Sequence, residues 1–197
     1  MKQYFIVYKP YLVLSQFTSQ LNKQTLADYF AVPKNVYPVG RLDYDSEGLL
    51  ILTNDTRLNS QLLSPLHSHE REYWVQVEGI PEPAAISKLA SGVEINIDGK
   101  AYRTKKCKTE LFTVIPALPE RNPPIRFRKN IPDSWIRLTL TEGKNRQVRK
   151  MTAKVGHPTL RLIRYRIEKM TIEGLNPGDM KMHSQQEIYN LLNIKLQ

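Results

Sequence analysis

Cysteine is almost missing from this 197-residue chain; only Cys107 is present. A lone thiol excludes an internal disulfide and suits a reducing compartment, so a cytoplasmic protein is expected, with Cys107 as a small buried or half-buried side chain. Long apolar runs are missing too. None approaches the length of a membrane span, and the opening MKQYFIVYKP has no signal-peptide cleavage pattern, so no membrane association is expected. G-x-G-x-x-G, P-loop and zinc-ligand spacings are all absent, which removes the usual dinucleotide, nucleotide and structural-zinc arrangements. Histidine is scarce. His67 and His69 lie close together, but no second ligand cluster accompanies them, and surface histidines are expected at all four positions including His157 and His183. There is no internal repeat and no low-complexity tract.

Acidic residues thin out in the second half. Residues 1–100 carry 9 Lys/Arg against 11 Asp/Glu, whereas residues 101–197 carry 20 against 8, within a net charge of +10. That asymmetry is the footprint of a polyanion partner, most simply a nucleic acid. A membrane surface fits less well, because the basic residues interleave with strands instead of lining one amphipathic helix. A hydrophobic content of 41% and this length allow one domain, or two small ones, with a real core.

Local patterns outline a mixed α/β chain. Tyr4 to Tyr8 reads as a strand ended by Lys9-Pro10, and Leu12 to Leu14 continues extended. Thr25 to Phe30 is a short helix candidate stopped by Pro33. Asn54 or Asp55 can cap a helix running to about Ser64, with Leu58 and Leu62 on one face. Tyr73 to Glu78 alternates like a half-buried strand. Glu82 to Ser91 reads as a helix with proline at its start and Gly92 after its end. Val93 to Ile95 and Tyr102 to Lys106 are short strands around an Asp98-Gly99 turn. Pro116 to Pro132 is a proline-rich loop whose cations Arg121, Arg126, Arg128 and Lys129 suit phosphate contact. Trp135 to Thr141 is a strand, and a short helix ends the chain.

Two segments carry chemistry. The first is PVGRLDYDSEGLLILTND, Pro38 to Asp55. Gly40-Arg41-Leu42-Asp43 sets a cation two residues from an anion, Gly48 lets the backbone bend, and Leu49 to Leu52 reads as a strand buried on both faces. An acidic loop against such a strand is a way to hold a carboxylate rigidly. Asp43, Asp45, Glu47 and Gly48 also fall on positions 1, 3, 5 and 6 of a calcium loop. The closing glutamate is absent, however, because Asn54 stands at position 12, and no metal site is expected. A solvated acidic turn with no chemistry is the other simple reading. The second segment is GKNRQVRKM, Gly143 to Met151. A helix from about Asn145 to Val155 would bury Val148, Met151 and Val155, expose Arg146, Lys150 and Lys154, and set Arg149 at the border, partly buried and in need of an anion. After it, Thr159 to Glu168 reads as a strand with Ile163, Tyr165 and Ile167 on one face and Leu160, Leu162, Arg164 and Arg166 on the other.

GRLDYDSEGLLILTND resembles the signature GRLDxDSEGLLLLTND of the RsuA/RluB/E/F-type pseudouridine synthases. EREYWVQVEG and EGKNRQVRKMTAKVGHPTLRLIRYRI are similar to that family's second and third motifs. RNPPIRFRKNIPDSW is similar to a segment of the branch that acts on large-subunit ribosomal RNA and lacks an N-terminal S4-like module. The likeness runs from Lys9 to about Ile167; the tail departs, reading PGDMK where relatives often read PGEWR.

The resemblance implies a mainly antiparallel central sheet with flanking helices. It implies one catalytic domain over residues 1–197, built as two subdomains around a basic cleft with Asp43 at its floor, and no preceding S4-like module. It implies isomerisation of a uridine in ribosomal RNA, that of the large subunit, by a monomer without a cofactor. Asp43 would be the catalytic carboxylate. Arg149 would keep it charged as its salt-bridge partner, unless that arginine binds phosphate instead. Tyr73 would stack on the uracil and assist a late proton transfer, unless it is a core tyrosine. Leu162, or else Leu160, would line the base pocket. Arg41 would fill the stack left by the everted base. Lys144, Arg146, Lys150, Arg126, Arg128 and Arg164 would contact RNA. Asp43 attack on ribose C1′ and loss of a ribose proton to give a glycal remain equally open. The competing functions are a non-catalytic RNA-binding protein, the same chemistry on another structured RNA, and a metal-dependent nuclease using Asp43, Asp45 and Glu47.

Overall fold

The structure is a computed structural model that describes residues 1–125 and 131–196. Arg126 and Arg128, expected RNA contacts, and Lys129 lie outside the described residues. The strands are β1 (Tyr4–Lys9), β2 (Val13–Leu14), β3 (Gln24–Thr25), β4 (Tyr37–Pro38), β5 (Glu47–Thr53), β6 (Arg71–Glu78), β7 (Glu94–Ile97), β8 (Lys100–Arg103), β9 (Lys108–Leu111), β10 (Asp133–Leu140), β11 (Thr159–Ile167), β12 (Met170–Thr171) and β13 (Met180–His183). The α-helices are α1 (Thr56–Leu63), α2 (Pro83–Ser91), α3 (Gln147–Lys154) and α4 (Gln185–Leu191). The chain divides into two units, Met1–His69 with Arg164–Gln197, and Glu70–Ile163.

In the first unit the strand order is β13-β1-β5-β11, with β4 against β5 and β12 against β11. β1 and β5 run antiparallel from Tyr4 opposite Thr53 to Lys9 opposite Gly48. All seven residues of β5 are buried, as a glycine-bounded apolar run suggests, and so are all six of β1. Phe5, Val7, Val13, Leu26, Phe30, Val36, Leu50 and Leu52 form an apolar cluster of this unit. The expected helix at Thr25 to Phe30 is only a 3-10 turn, Leu26–Asp28, in which the Asp28 carboxylate accepts from the Thr25 amide at 2.6 Å. That local bond favours a tight turn over a continued helix.

α1 begins where sequence places it. The Asp55 carboxylate caps it by accepting from the amides of Arg57 and Leu58, and it also accepts from the hydroxyls of Tyr4 at 2.7 Å and Tyr189 at 2.8 Å. Lys2 lies 3.1 Å away. Burial alone would raise this carboxyl; the hydrogen bonds from Tyr4, Tyr189 and Lys2 and from the helix amides outweigh it and hold the pKa at about 2. The C-terminal helix α4 is tied to the start of α1 through this contact.

In the second unit the order is β11-β6-β10-β9. β6 and β10 are antiparallel from Arg71 opposite Leu140 to Glu78 opposite Asp133, and β9 pairs β10 on its other side. Val75, Val77, Leu89, Ile136, Leu138, Leu140, Val148, Met151 and Leu162 belong to one core cluster. β7 and β8 form a hairpin in which Ile97 faces Lys100. Asp98 and Gly99 both have positive φ, 50° and 84°, as a type I′ turn requires. That turn pulls β8 forward to Lys100–Arg103, earlier than the expected Tyr102 to Lys106. β9 was not legible, because its residues are mostly exposed and polar at the sheet margin. The fold is thus mixed α/β with a mainly antiparallel sheet; the two-residue pair β2–β3 is parallel. Among the described residues no helix is long and apolar enough to cross a membrane.

Candidate active site

The acidic motif lies on the first unit, in the loop leading into β5. Asp43, Tyr44 and Asp45 are half-buried, Arg41 is exposed, and Ser46 and Glu47 are buried. The loop is pinned at three places. The Val39 amide donates to the Ile51 carbonyl at 2.8 Å, and the Ser46 amide closes a turn on the Asp43 carbonyl at 3.0 Å. Between them the Ser15 hydroxyl donates to the Leu42 carbonyl at 2.8 Å and accepts from the Leu42 amide at 3.0 Å. Lys23 sits over the Tyr44 ring, 5.1 Å from its centroid.

Two buried cations lie beneath this loop. Lys9 is fully buried and donates through Nζ to the carbonyls of Pro10 at 2.8 Å and Val13 at 2.7 Å. Burial pulls its amine down to about 7; Glu47, Asp45 and Asp43 oppose that shift and Arg164 adds to it. Arg164 is 5% exposed and donates through Nε to the Leu49 carbonyl at 2.8 Å. This corrects its expected place: the side chain is turned into the fold and is not presented as a surface RNA contact. β11 is the expected strand, and Arg161, Leu162, Ile163 and Arg164 are all buried in succession. The strand is covered on both sides at its centre.

Among the described residues no group of three His, Cys, Asp or Glu side chains is placed to hold a metal ion. His69 is not a surface histidine either; it is 8% exposed, with Nδ1 3.0 Å from the Glu168 carboxylate.

The second unit carries the other motif residues. Tyr73 is half-buried in β6, opposite Leu138, and packs against the core cluster. Leu162 is buried in that same cluster. The helix of the third motif starts later than its pattern suggests. Arg146 stands before it with φ at 53°, so α3 spans Gln147–Lys154. The reason is Gln147, which is buried. Its amide Nε2 donates to Glu142 Oε1 at 2.6 Å and its Oε1 accepts from the Lys144 amide at 2.9 Å. Glu142 also accepts from the Tyr102 hydroxyl at 2.5 Å and from the Lys105 amide at 2.9 Å. Tyr102 loses its proton less readily for it: the hydrogen bond to Glu142, then burial and the carboxylate charge, push its pKa to about 12.

This network folds the turn so that Arg146 and Lys144 are exposed, Lys144 lying 5.1 Å over the Tyr102 ring. Arg149 is half-buried, as its border position implies. Lys150 is half-buried and not fully exposed. The Thr152 hydroxyl, buried, donates to the Arg149 carbonyl at 3.2 Å and lies 2.8 Å from the Thr159 hydroxyl, tying α3 to the start of β11. Arg161 Nη2 donates to the Pro119 carbonyl at 2.9 Å, and Arg121 Nη1 to the Leu160 carbonyl at 3.4 Å, so the described part of the proline-rich loop is held to β11 by arginines. Cys107 is half-buried, its Sγ 3.2 Å from the Leu89 carbonyl, and burial raises the thiol pKa.

The architecture matches a crystal structure of a pseudouridylate synthase with a TM-score of 0.77 and 28% identity, covering 97% of this chain and 74% of that one. The chain belongs to the RNA pseudouridylate synthase family, whose family model matches residues 3–154 and so takes in both charged segments. It is therefore an isomerase of that class. It is 49% identical over 180 residues to the ribosomal large subunit pseudouridine synthase E of Vibrio parahaemolyticus, covering 91% of this chain and 73% of the relative. It is also 49% identical over 171 residues to the protein of that name from Xanthomonas axonopodis, covering 86% and 87%.

Proposed function

We propose that this protein converts a uridine of large-subunit ribosomal RNA to pseudouridine, with Asp43 as its catalytic carboxylate. The observation that carries the proposal is the uninterrupted acidic motif from Gly40 to Asp55, inside a family match, in a chain 49% identical to a relative named for that RNA. The basic second half of the chain suits a polyanionic substrate.

In the reaction the bond from ribose C1′ to uracil N1 breaks, the base turns over, and C1′ bonds to C5. The C5 hydrogen leaves as a proton and N1 gains one, so nothing is oxidised and nothing is added. A charged carboxylate at the everted nucleotide can begin this, by attack at C1′ or by assisting loss of a ribose proton. Asp43, on a braced loop, is given that role. Arg149 is given the role of the cation that keeps Asp43 ionised. Tyr73 would stack on the uracil and serve the late proton transfer, with Leu162 beside the base. Arg41, exposed two residues before Asp43, suits the wedge that occupies the vacated stack. Exposed Lys144 and Arg146 and half-buried Lys150 suit phosphate contact, as do Arg126 and Arg128 by sequence. The enzyme would act as a monomer in the cytoplasm, where ribosomal RNA is made in bacteria.

Mapping pseudouridines by carbodiimide primer extension in a deletion strain, complemented with wild type or Asp43→Ala, tests the reading. One modified position should vanish in the deletion and return only with the wild type. RNA affinity of the variant should stay close to that of the wild type. Return of the modification with Asp43→Ala would overturn the assignment. Loss of wild-type activity on adding EDTA would favour a metal-dependent enzyme.

A further inference from the structure

We infer that Ser15 is a positioning residue for the catalytic carboxylate. This rests on Asp43 being that carboxylate. Ser15 lies 27 positions before Leu42 in the chain, yet one hydroxyl satisfies both main-chain polar groups of Leu42. Both residues are buried, each 8% exposed, so water is a poor substitute for either bond. A hydroxyl can donate and accept at once; a methyl group can do neither. Holding the amide and the carbonyl of one residue together fixes its orientation, and with it the Cα of Asp43.

The brace is itself anchored. Lys9 Nζ binds the Val13 carbonyl from the end of β1, and the Leu26 amide donates to the Gln16 carbonyl at 2.9 Å, so the segment carrying Ser15 is held on both sides. On the far side of Asp43 the turn is closed by the Ser46 amide. Asp43 is thus suspended between two fixed main-chain points, and Ser15 supplies the one that comes from outside the motif. A carboxylate that must meet one atom of an everted nucleotide is sensitive to displacement on the scale of an ångström.

The test uses the full chain with Ser15→Ala, and Asp43→Asn as a control. The substrate is large-subunit RNA from a strain lacking the enzyme, as free RNA or precursor particle, whichever form the wild type converts. Single-turnover rate at saturation, dissociation constant and unfolding temperature are measured on each. Ser15→Ala should turn over about tenfold or more slowly while binding RNA within about twofold of wild type, at a temperature where it is fully folded. A merely structural role would lower the unfolding temperature and leave turnover per folded molecule intact. Wild-type turnover in Ser15→Ala, or a loss that resides wholly in RNA binding, would overturn the inference. Should Ser15→Ala fail to fold, Ser15→Cys keeps the size with a weak donor and acceptor, and wild-type turnover in it would overturn the inference equally. If Asp43→Asn is inactive and Ser15→Ala is not impaired, only this inference falls. If Asp43→Asn is active, or no form of the RNA is converted by wild type, the functional reading falls and takes the inference with it.

Discussion

Gly48 lies against the main chain of Arg164. A β-carbon on Gly48 would stand 2.4 Å from the Arg164 carbonyl oxygen and 2.8 Å from its nitrogen, and φ at Gly48 is 109°. Two independent reasons therefore require glycine, steric and conformational. The contact brings the second residue of β5 onto the residue whose guanidinium binds Leu49, directly after the acidic loop.

Gly48→Ala should destabilise the protein by at least about 3 kcal/mol, since backbone cannot yield as a flexible side chain does. Chemical denaturation measures it. A midpoint equal to that of wild type would show that the strands do not approach as closely as described.

Asp55 should make the protein sensitive to acid. Its carboxyl has a pKa near 2 in the fold against an ordinary 3.8. The contribution is fully present above about pH 4 and fades as pH falls toward 2, amounting to on the order of 2 kcal/mol. Asp55→Asn should be less stable than wild type at pH 7, with the gap closing near pH 2. Urea midpoints at pH 7, 4 and 2.5 would check this; a gap that does not narrow would count against the carboxylate's charge as the cause.

Lys9 predicts a rise of stability with pH in the alkaline range. Its amine is lowered to about 7 from 10.5. Below about pH 7 both the folded and unfolded states hold the proton. Between 7 and 10.5 only the unfolded chain does, so stability rises with pH by about 1.4 kcal/mol per unit. Lys9→Met lacks that rise. The stability difference between wild type and variant, measured at pH 7.5, 8.5 and 9.5, should change in favour of wild type by that slope. A difference flat in pH would mean that Lys9 stays charged throughout.

Arg149→Lys separates two roles for one side chain. If Arg149 keeps Asp43 ionised, losing the planar fork should lower kcat by at least about tenfold with little change in RNA affinity. If it only binds phosphate, the loss should appear in the dissociation constant, with kcat preserved. Single-turnover kinetics and filter binding on the same preparations distinguish them.

The sequence by itself determined the elements with strong local signals: the doubly buried β5, the Asp55 cap, the Asp98-Gly99 hairpin, the border position of Arg149, and the acidic motif that lies inside the family match. Each is written within a few neighbouring residues, as periodicity, a cap or a turn dipeptide. Only the tertiary structure decided what surrounds them. Arg164 looked like a surface cation, but it turns inward to a carbonyl 115 positions away. Nothing near Gln147 pointed to Glu142, yet the two meet inside the fold and delay the start of α3. Lys9 read as the end of a strand, and no local pattern marked Ser15. Hydrogen bonds that cross the chain leave no period and no spacing behind, because a buried polar group is satisfied by whichever partner folding delivers, however distant in sequence.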